Sequence, residues 1–247
     1  MTTDSPLVSQ EFAPPSNPPV AETWHSVVLL LVLAAWSSWG YIGTHSAAYQ
    51  QHPNRIFTYV VTAVWEWLVV AYIAWGVRRQ GLRLRDLLGQ RWKNVTDFLK
   101  DVGIAMAFWI FALVVLLFVS LSLHAKGMEN VKSMLPQSKL EISLWVMLSL
   151  TAGFCEEAIF RGYLQRQFIS WTGNLSAGVV LSALIFGAAH IYGGVKAAIV
   201  IGVYGLLFGL LSQWRRSLLP GMMTHAWHDT VAGLALGLAN KFLHKGF

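Results

Sequence analysis

The feature that most limits this chain is a run of seven stretches, each nearly free of charge and each close to the length of a membrane crossing. A helix needs about 20 apolar residues to cover the roughly 30 Å hydrocarbon core of a bilayer. The stretches are 24–43, 57–77, 102–123, 140–168, 175–192, 195–213 and 218–239. They imply an all-α fold, a polytopic transmembrane helical bundle of about seven spans. Composition agrees: 12% of residues are charged and 55% hydrophobic, with a mean hydropathy of +0.51, whereas a soluble domain carries about 25% charged residues. Disorder, a disulfide scaffold and a coiled coil are excluded as the class of the whole chain. The single cysteine, Cys155, has no internal partner.

The net charge of +6 is not a nucleic-acid signal, because the basic residues lie between apolar runs. They are densest in the connector 78–101, with Arg78, Arg79, Arg83, Arg85, Arg91, Lys93 and Lys100 interleaved with Leu82, Leu84, Leu87, Leu88 and Trp92. Such a segment anchors at the cytoplasmic interface, and segments of this kind can also recruit anionic lipids or partner proteins. Two spans back, the N-terminus falls on the same side, so an integral protein of the plasma membrane is expected with both cytoplasmic. Residues 1–23 hold five of the eight prolines and no Lys or Arg, and read as a disordered tail rather than a signal peptide. The remainder divides into N-terminal spans (24–139), a core (140–239) and a short C-terminal tail (240–247). The spacings Gly205 to Gly209 and Gly233 to Gly237 fit close helix packing.

Ionisable groups inside such spans are costly and mark a polar intramembrane cavity. Glu156, Glu157 and Arg161 lie on the fourth span, His190 on the fifth, and His225, His228 and Asp229 on the seventh; Glu66 is a stray acid on the second. Successive helical residues diverge by about 100° while residues four apart share a stripe. Arg161 is therefore placed to neutralise Glu157 and leave Glu156 free. With the turn between spans four and five at 171–174, Glu156 and His190 lie equally far from Gly173, hence at one depth. His225 and Asp229 share a helical face, but His225 follows Arg216 so closely that it looks too shallow to meet His190. An unwound entry through Pro220-Gly221 would carry it deeper.

These residues resemble the CPBP intramembrane proteases, the family that includes the CAAX prenyl endopeptidases and the bacteriocin-processing Abi proteins. The likeness rests on Glu156-Glu157-Ala-Ile-Phe-Arg161, Phe186-Gly-Ala-Ala-His190 and His225-Ala-Trp-His-Asp229, in order and on separate spans, over roughly 140–237. It implies hydrolysis of a peptide bond in a membrane protein or peptide, with Glu156 as general base, His190 holding the water, and His225 with Asp229 stabilising the oxyanion. Glu157, Arg161, Phe186 and His228 would support them. The family pattern allows Asn or Asp at the last position. An ionised Asp accepts but does not donate, so Asp229 either orients His225 or serves as a ligand. A metal-dependent version would hold zinc through His190, His225 and Asp229, but a His-Glu-x-x-His pair is absent from the sequence, and metal-independent chemistry is expected.

Three other readings use the same residues. Cys155 could act as a nucleophile with His190 as base, although neighbouring carboxylates disfavour a thiolate. A proton- or metal-coupled transporter would need polar groups reaching both faces. A silent scaffold binding a partner peptide would tolerate loss of Glu156. The expected partners are the bilayer and a membrane-associated peptide, not nucleic acid; substrate and oligomeric state are open.

Overall fold

A computed structural model describes residues 18–125 and 133–243, with side chains described up to 237. Seven major helical rods run through it, at positions close to the apolar stretches. They are α1 (Thr23–His45), α3 (Arg55–Arg79), α5 (Val95–Ser122), a long fourth rod, α8 (Leu175–Ala189), α9 (Val195–Arg215) and α10 (Leu219–Leu243). The short helices α2 (Ala47–Gln51) and α4 (Leu84–Leu87) lie in connectors. No strand forms among the described residues; one isolated bridge pairs Gly89 with Ser217.

Length and hydropathy qualify five of these rods as membrane spans: 23–45, 55–79, 95–122, 139–172 and 195–215. The count of seven is thus met in helices but not in full-length apolar crossings. Helix α8 has 15 residues, about 22 Å at 1.5 Å per residue, which is short of the hydrocarbon core. Helix α10 is long enough, but Thr224, His225, His228 and Asp229 interrupt its apolar character.

The fourth rod is not one regular helix. It consists of α6 (Lys139–Glu156), a π-helical segment (Glu157–Leu164) and α7 (Gln165–Thr172). Ser138 opens it with a capping box: its Oγ accepts from Glu141 N while Glu141 Oε2 accepts from Ser138 N. Gly173, at φ 64°, ends it, and Asn174 Oδ1 caps α8 by accepting from Ala177 N. The hairpin turn therefore lies where the sequence puts it. The π segment was not foreseen, because hydrophobic periodicity carries no signal for an i→i+5 ladder; such segments recur at functional sites.

The π segment forms the centre of the core. Its Ile159, Phe160, Tyr163 and Leu164 pack with Leu29 of α1, Val69, Ile73 and Val77 of α3, Phe186 of α8, and Leu218 and Met222 beside and within α10. His25 of α1 is stacked on Tyr72 and bonded through Nδ1 to the Tyr163 hydroxyl at 2.6 Å, which locks α1 and α3 to it. Val20 and Ala21, assigned on composition to the tail, are buried instead; both backbone N–H groups donate to Gln167 Oε1. Residues 1–17 and 244–247 lie outside the described residues. The four glycines of the paired spacings do lie at close approaches: Gly205 to Phe186, Gly209 to Gln165 and Val179, Gly233 to Trp145, and Gly237 to Pro136.

Two ties set the depth of the C-terminal helices. Arg166 donates to the carbonyls of Asp86 and Leu87 at 3.0 and 2.9 Å, and the Ser217 hydroxyl donates to Gln90 O at 2.7 Å. The basic connector thus grips both rods, and the tip of the α7–α8 hairpin overhangs it. Glu157 comes nine residues before Arg166 and His225 eight after Ser217, so both lie about 12–14 Å from the connector level at 1.5 Å per residue. No unwound entry is needed: Leu219, Pro220 and Gly221 are already helical. The expected depth mismatch came from taking the hairpin tip as level with the connector.

Candidate active site

Glu156 is the last residue of α6 and Glu157 the first of the π segment, so the two carboxylates leave the rod in different directions. Glu157 turns inward and is buried with Arg161, each side chain 1% exposed. Arg161 Nη1 donates to Glu157 Oε1 at 2.9 Å and Nη2 donates to the Gly205 carbonyl at 3.2 Å. The guanidinium lies 4.3 Å from the ring centre of Phe186 and 5.2 Å from that of Phe208. Aromatic faces shield a buried cation in this way. A side chain at Gly205 would place its Cβ 2.9 Å from Phe186, so glycine keeps that carbonyl within reach of Arg161.

The same Glu157 oxygen also lies 3.0 Å from His225 Nδ1. An ionised carboxylate only accepts, so Nδ1 carries the proton and Nε2 is turned outward. There it lies 3.6 Å from Glu156 Oε2 and 3.6 Å from Asp229 Oδ2. From the sequence, Asp229 either orients His225 or serves as a ligand. The residue bonded to its Nδ1 is Glu157, and Asp229 faces the other nitrogen.

His190 ends α8 as its C-cap, with φ −102° and ψ 18°, rather than lying within a continuous span to residue 192. Its Nδ1 is 2.8 Å from Phe186 O. A carbonyl only accepts, so this proton too is on Nδ1 and Nε2 is left as the free nitrogen. That atom lies 3.9 Å from Glu156 Oε1, too far for a direct hydrogen bond and suited to a bridging water. Equal counting from Gly173 thus does correspond to spatial proximity. Glu156 receives one imidazole on each carboxylate oxygen, and its Oε2 is buried without a hydrogen-bond partner among the described residues.

Of the remaining candidates, Phe186 packs against Arg161, His190 and Phe160. His228 turns away from Glu156: its Nδ1 accepts from Trp109 Nε1 at 3.3 Å, and its ring lies 4.9 Å from Tyr204. Cys155 is fully buried and unbonded.

Several contributors were not found from sequence. Trp145 Nε1 donates to the Asp229 carbonyl at 2.9 Å and fixes α10 against α6. Gly153 makes that contact possible, since a Cβ there would fall 2.7 Å from Ala226 N. Phe208 and Tyr204 wall the His225 side. Glu66 of α3 is buried, its Oε2 has no hydrogen-bond partner among the described residues, and it lies within electrostatic range of Glu156 and Asp229. An acid in an apolar span was its only sequence signal.

Zinc ligands would have to converge on one point at about 2.0–2.2 Å. Here His190 and His225 address opposite oxygens of Glu156. Among the described residues no group of three or more His, Cys, Asp or Glu side chains is arranged to hold a metal ion.

A carboxylate and two imidazoles gathered within a bundle of apolar helices define a class of membrane-embedded site on its geometry alone. Residues 138–231 match the family described as Type II CAAX prenyl endopeptidase Rce1-like. Over these residues the chain is similar to the CAAX-type prenyl endopeptidases. The match takes in Glu156, His190, His225 and Asp229 and leaves α1 to α5 outside it. Neither the search of curated proteins nor that of solved structures returned a match.

Proposed function

We propose that the protein hydrolyses a peptide bond of a membrane-associated protein or peptide with a water activated by Glu156. The observation that carries this reading is the placement of Glu156 Oε1 opposite His190 Nε2 at 3.9 Å, a gap that fits one water between an ionised carboxylate and a ring nitrogen with a free lone pair. Glu156 takes a proton from this water as its oxygen attacks the scissile carbonyl carbon. The resulting oxyanion is stabilised by His225, protonated on both ring nitrogens and donating from Nε2. When the carbon–nitrogen bond breaks, the proton held by Glu156 passes to the departing amine. Glu157 is a positioning residue that ties His225 to Arg161, and Asp229 supplies a negative partner for a protonated His225. Protein groups and water carry every step.

The substrate enters this reading as a peptide in or on the bilayer, with the connector and N-terminus on the cytoplasmic side of the plasma membrane. The deciding experiment compares membrane peptides by mass spectrometry in the presence of wild-type protein and of Glu156→Gln. New termini that depend on Glu156 support the reading; identical peptide sets from both proteins refute it.

A further inference from the structure

A polar cavity of about 340 Å³ lies at the connector, where α5 begins and α9 ends. Four cations line it, Arg91, Lys93, Lys100 and Arg215, against two acids, Asp97 and Asp101. Both acids are already engaged. Asp101 accepts from Arg215 Nη2 at 2.7 Å and from Trp92 Nε1 at 2.9 Å, while Asp97 Oδ2 accepts from the Lys93 backbone at 3.1 Å. Arg91, Lys93 and Lys100 form no ion pair among the described residues.

Arg215 supplies the sharpest observation. Its Nε is a buried donor with no hydrogen-bond partner among the described residues, although Asp101 fixes the other end of the guanidinium. A buried unsatisfied donor is costly, and this one belongs to a guanidinium that lines the cavity. The start of α5 adds the positive end of a 28-residue helix. Simple anchoring by scattered surface cations would produce neither a concavity nor a pre-positioned, unsatisfied arginine donor.

We propose that this cavity binds a phosphate group, presented by an anionic phospholipid headgroup. Phosphate matches the site because it offers several acceptor oxygens to guanidinium and ammonium groups at once, here those of Arg91 and Arg215 and of Lys93 and Lys100. The cavity lies at the polar ends of two candidate spans, 95–122 and 195–215, the level at which headgroups lie, and Trp92, 40% exposed, sits at its edge. The Gln90–Ser217 bond places the site on the same tie that holds α10, and hence His225, against the connector.

The test measures thermal unfolding of the full chain in neutral detergent, at constant ionic strength, with added phosphatidylglycerol, phosphatidylcholine or inorganic phosphate. Phosphatidylglycerol is expected to raise the midpoint by several degrees and phosphatidylcholine to leave it unchanged. The variant K93Q/K100Q, at two exposed positions, should lose most of that rise, whereas R78Q/R85Q, which removes equal charge outside the cavity, should keep it. An equal rise with inorganic phosphate supports the phosphate site and assigns it to soluble phosphate instead of lipid. No rise with either anion, or equal loss in both double variants, overturns the proposal.

Discussion

Glu157 Oε1 lies 3.0 Å from His225 Nδ1, and that same oxygen carries the guanidinium of Arg161 at 2.9 Å. A single buried atom therefore joins the rod bearing Glu156 to the helix bearing His225. The two adjacent glutamates thereby take different roles. Glu157 is consumed in holding the frame, while Glu156 keeps an oxygen without a hydrogen-bond partner among the described residues.

Breaking this junction should cost stability before it alters chemistry. Arg161→Met leaves Glu157 buried without its cation, a change that typically costs about 3–5 kcal/mol. The expected result is a lower unfolding midpoint in detergent together with lower activity. A midpoint equal to wild type would show that Glu157 does not depend on Arg161.

Replacement of the proposed base should do the reverse. Glu156→Gln preserves size and should leave the unfolding midpoint near wild type while reducing turnover by about 10²–10⁴-fold, the usual contribution of a general base. Cys155→Ser should stay active. An active Glu156→Gln protein would remove the general-base assignment, and an inactive but stable Cys155→Ser protein would transfer the chemistry to the thiol.

Asp229→Asn tests the metal question. Since Nδ1 of His225 is held by Glu157, the ring should keep its orientation when Asp229 loses its charge, and the amide adds a donor. Most of the activity should remain, with no response to chelators in either protein. Stoichiometric zinc in active wild type, lost together with activity in Asp229→Asn, would instead assign His190, His225 and Asp229 as ligands.

Glu66 separates stability from service to the site. Its unpartnered buried oxygen carries a cost of about 1–3 kcal/mol, so Glu66→Met should raise the unfolding midpoint. A fall would mean that the carboxylate is satisfied through water. If turnover drops as stability rises, the acid is kept for the sake of the reaction.

The legible part of this molecule was what depends on spacing. Arg161 meets Glu157 because four residues return a helix to the same stripe, and His190 meets Glu156 because equal counts from a tight turn give equal height. What spacing could not supply depends on neighbours distant in sequence. That Glu157 rather than Asp229 holds His225, that Trp109 turns His228 away, and that Gln167 fixes residues 20 and 21 all follow from three-dimensional packing. The π segment escaped for another reason, since an apolar core residue reads alike in either helical form.

The ties at Arg166 and Ser217 place the Glu157–His225 junction about 12–14 Å from the connector, less than half the roughly 30 Å hydrocarbon thickness. Extended chain advances about 3.3 Å per residue. A peptide entering from the connector face would therefore need only about four extended residues to bring a scissile bond to that level. If Glu156 acts as proposed, a short, frayed tail would be reach enough, and a substrate would not need to unwind across the bilayer to be cut.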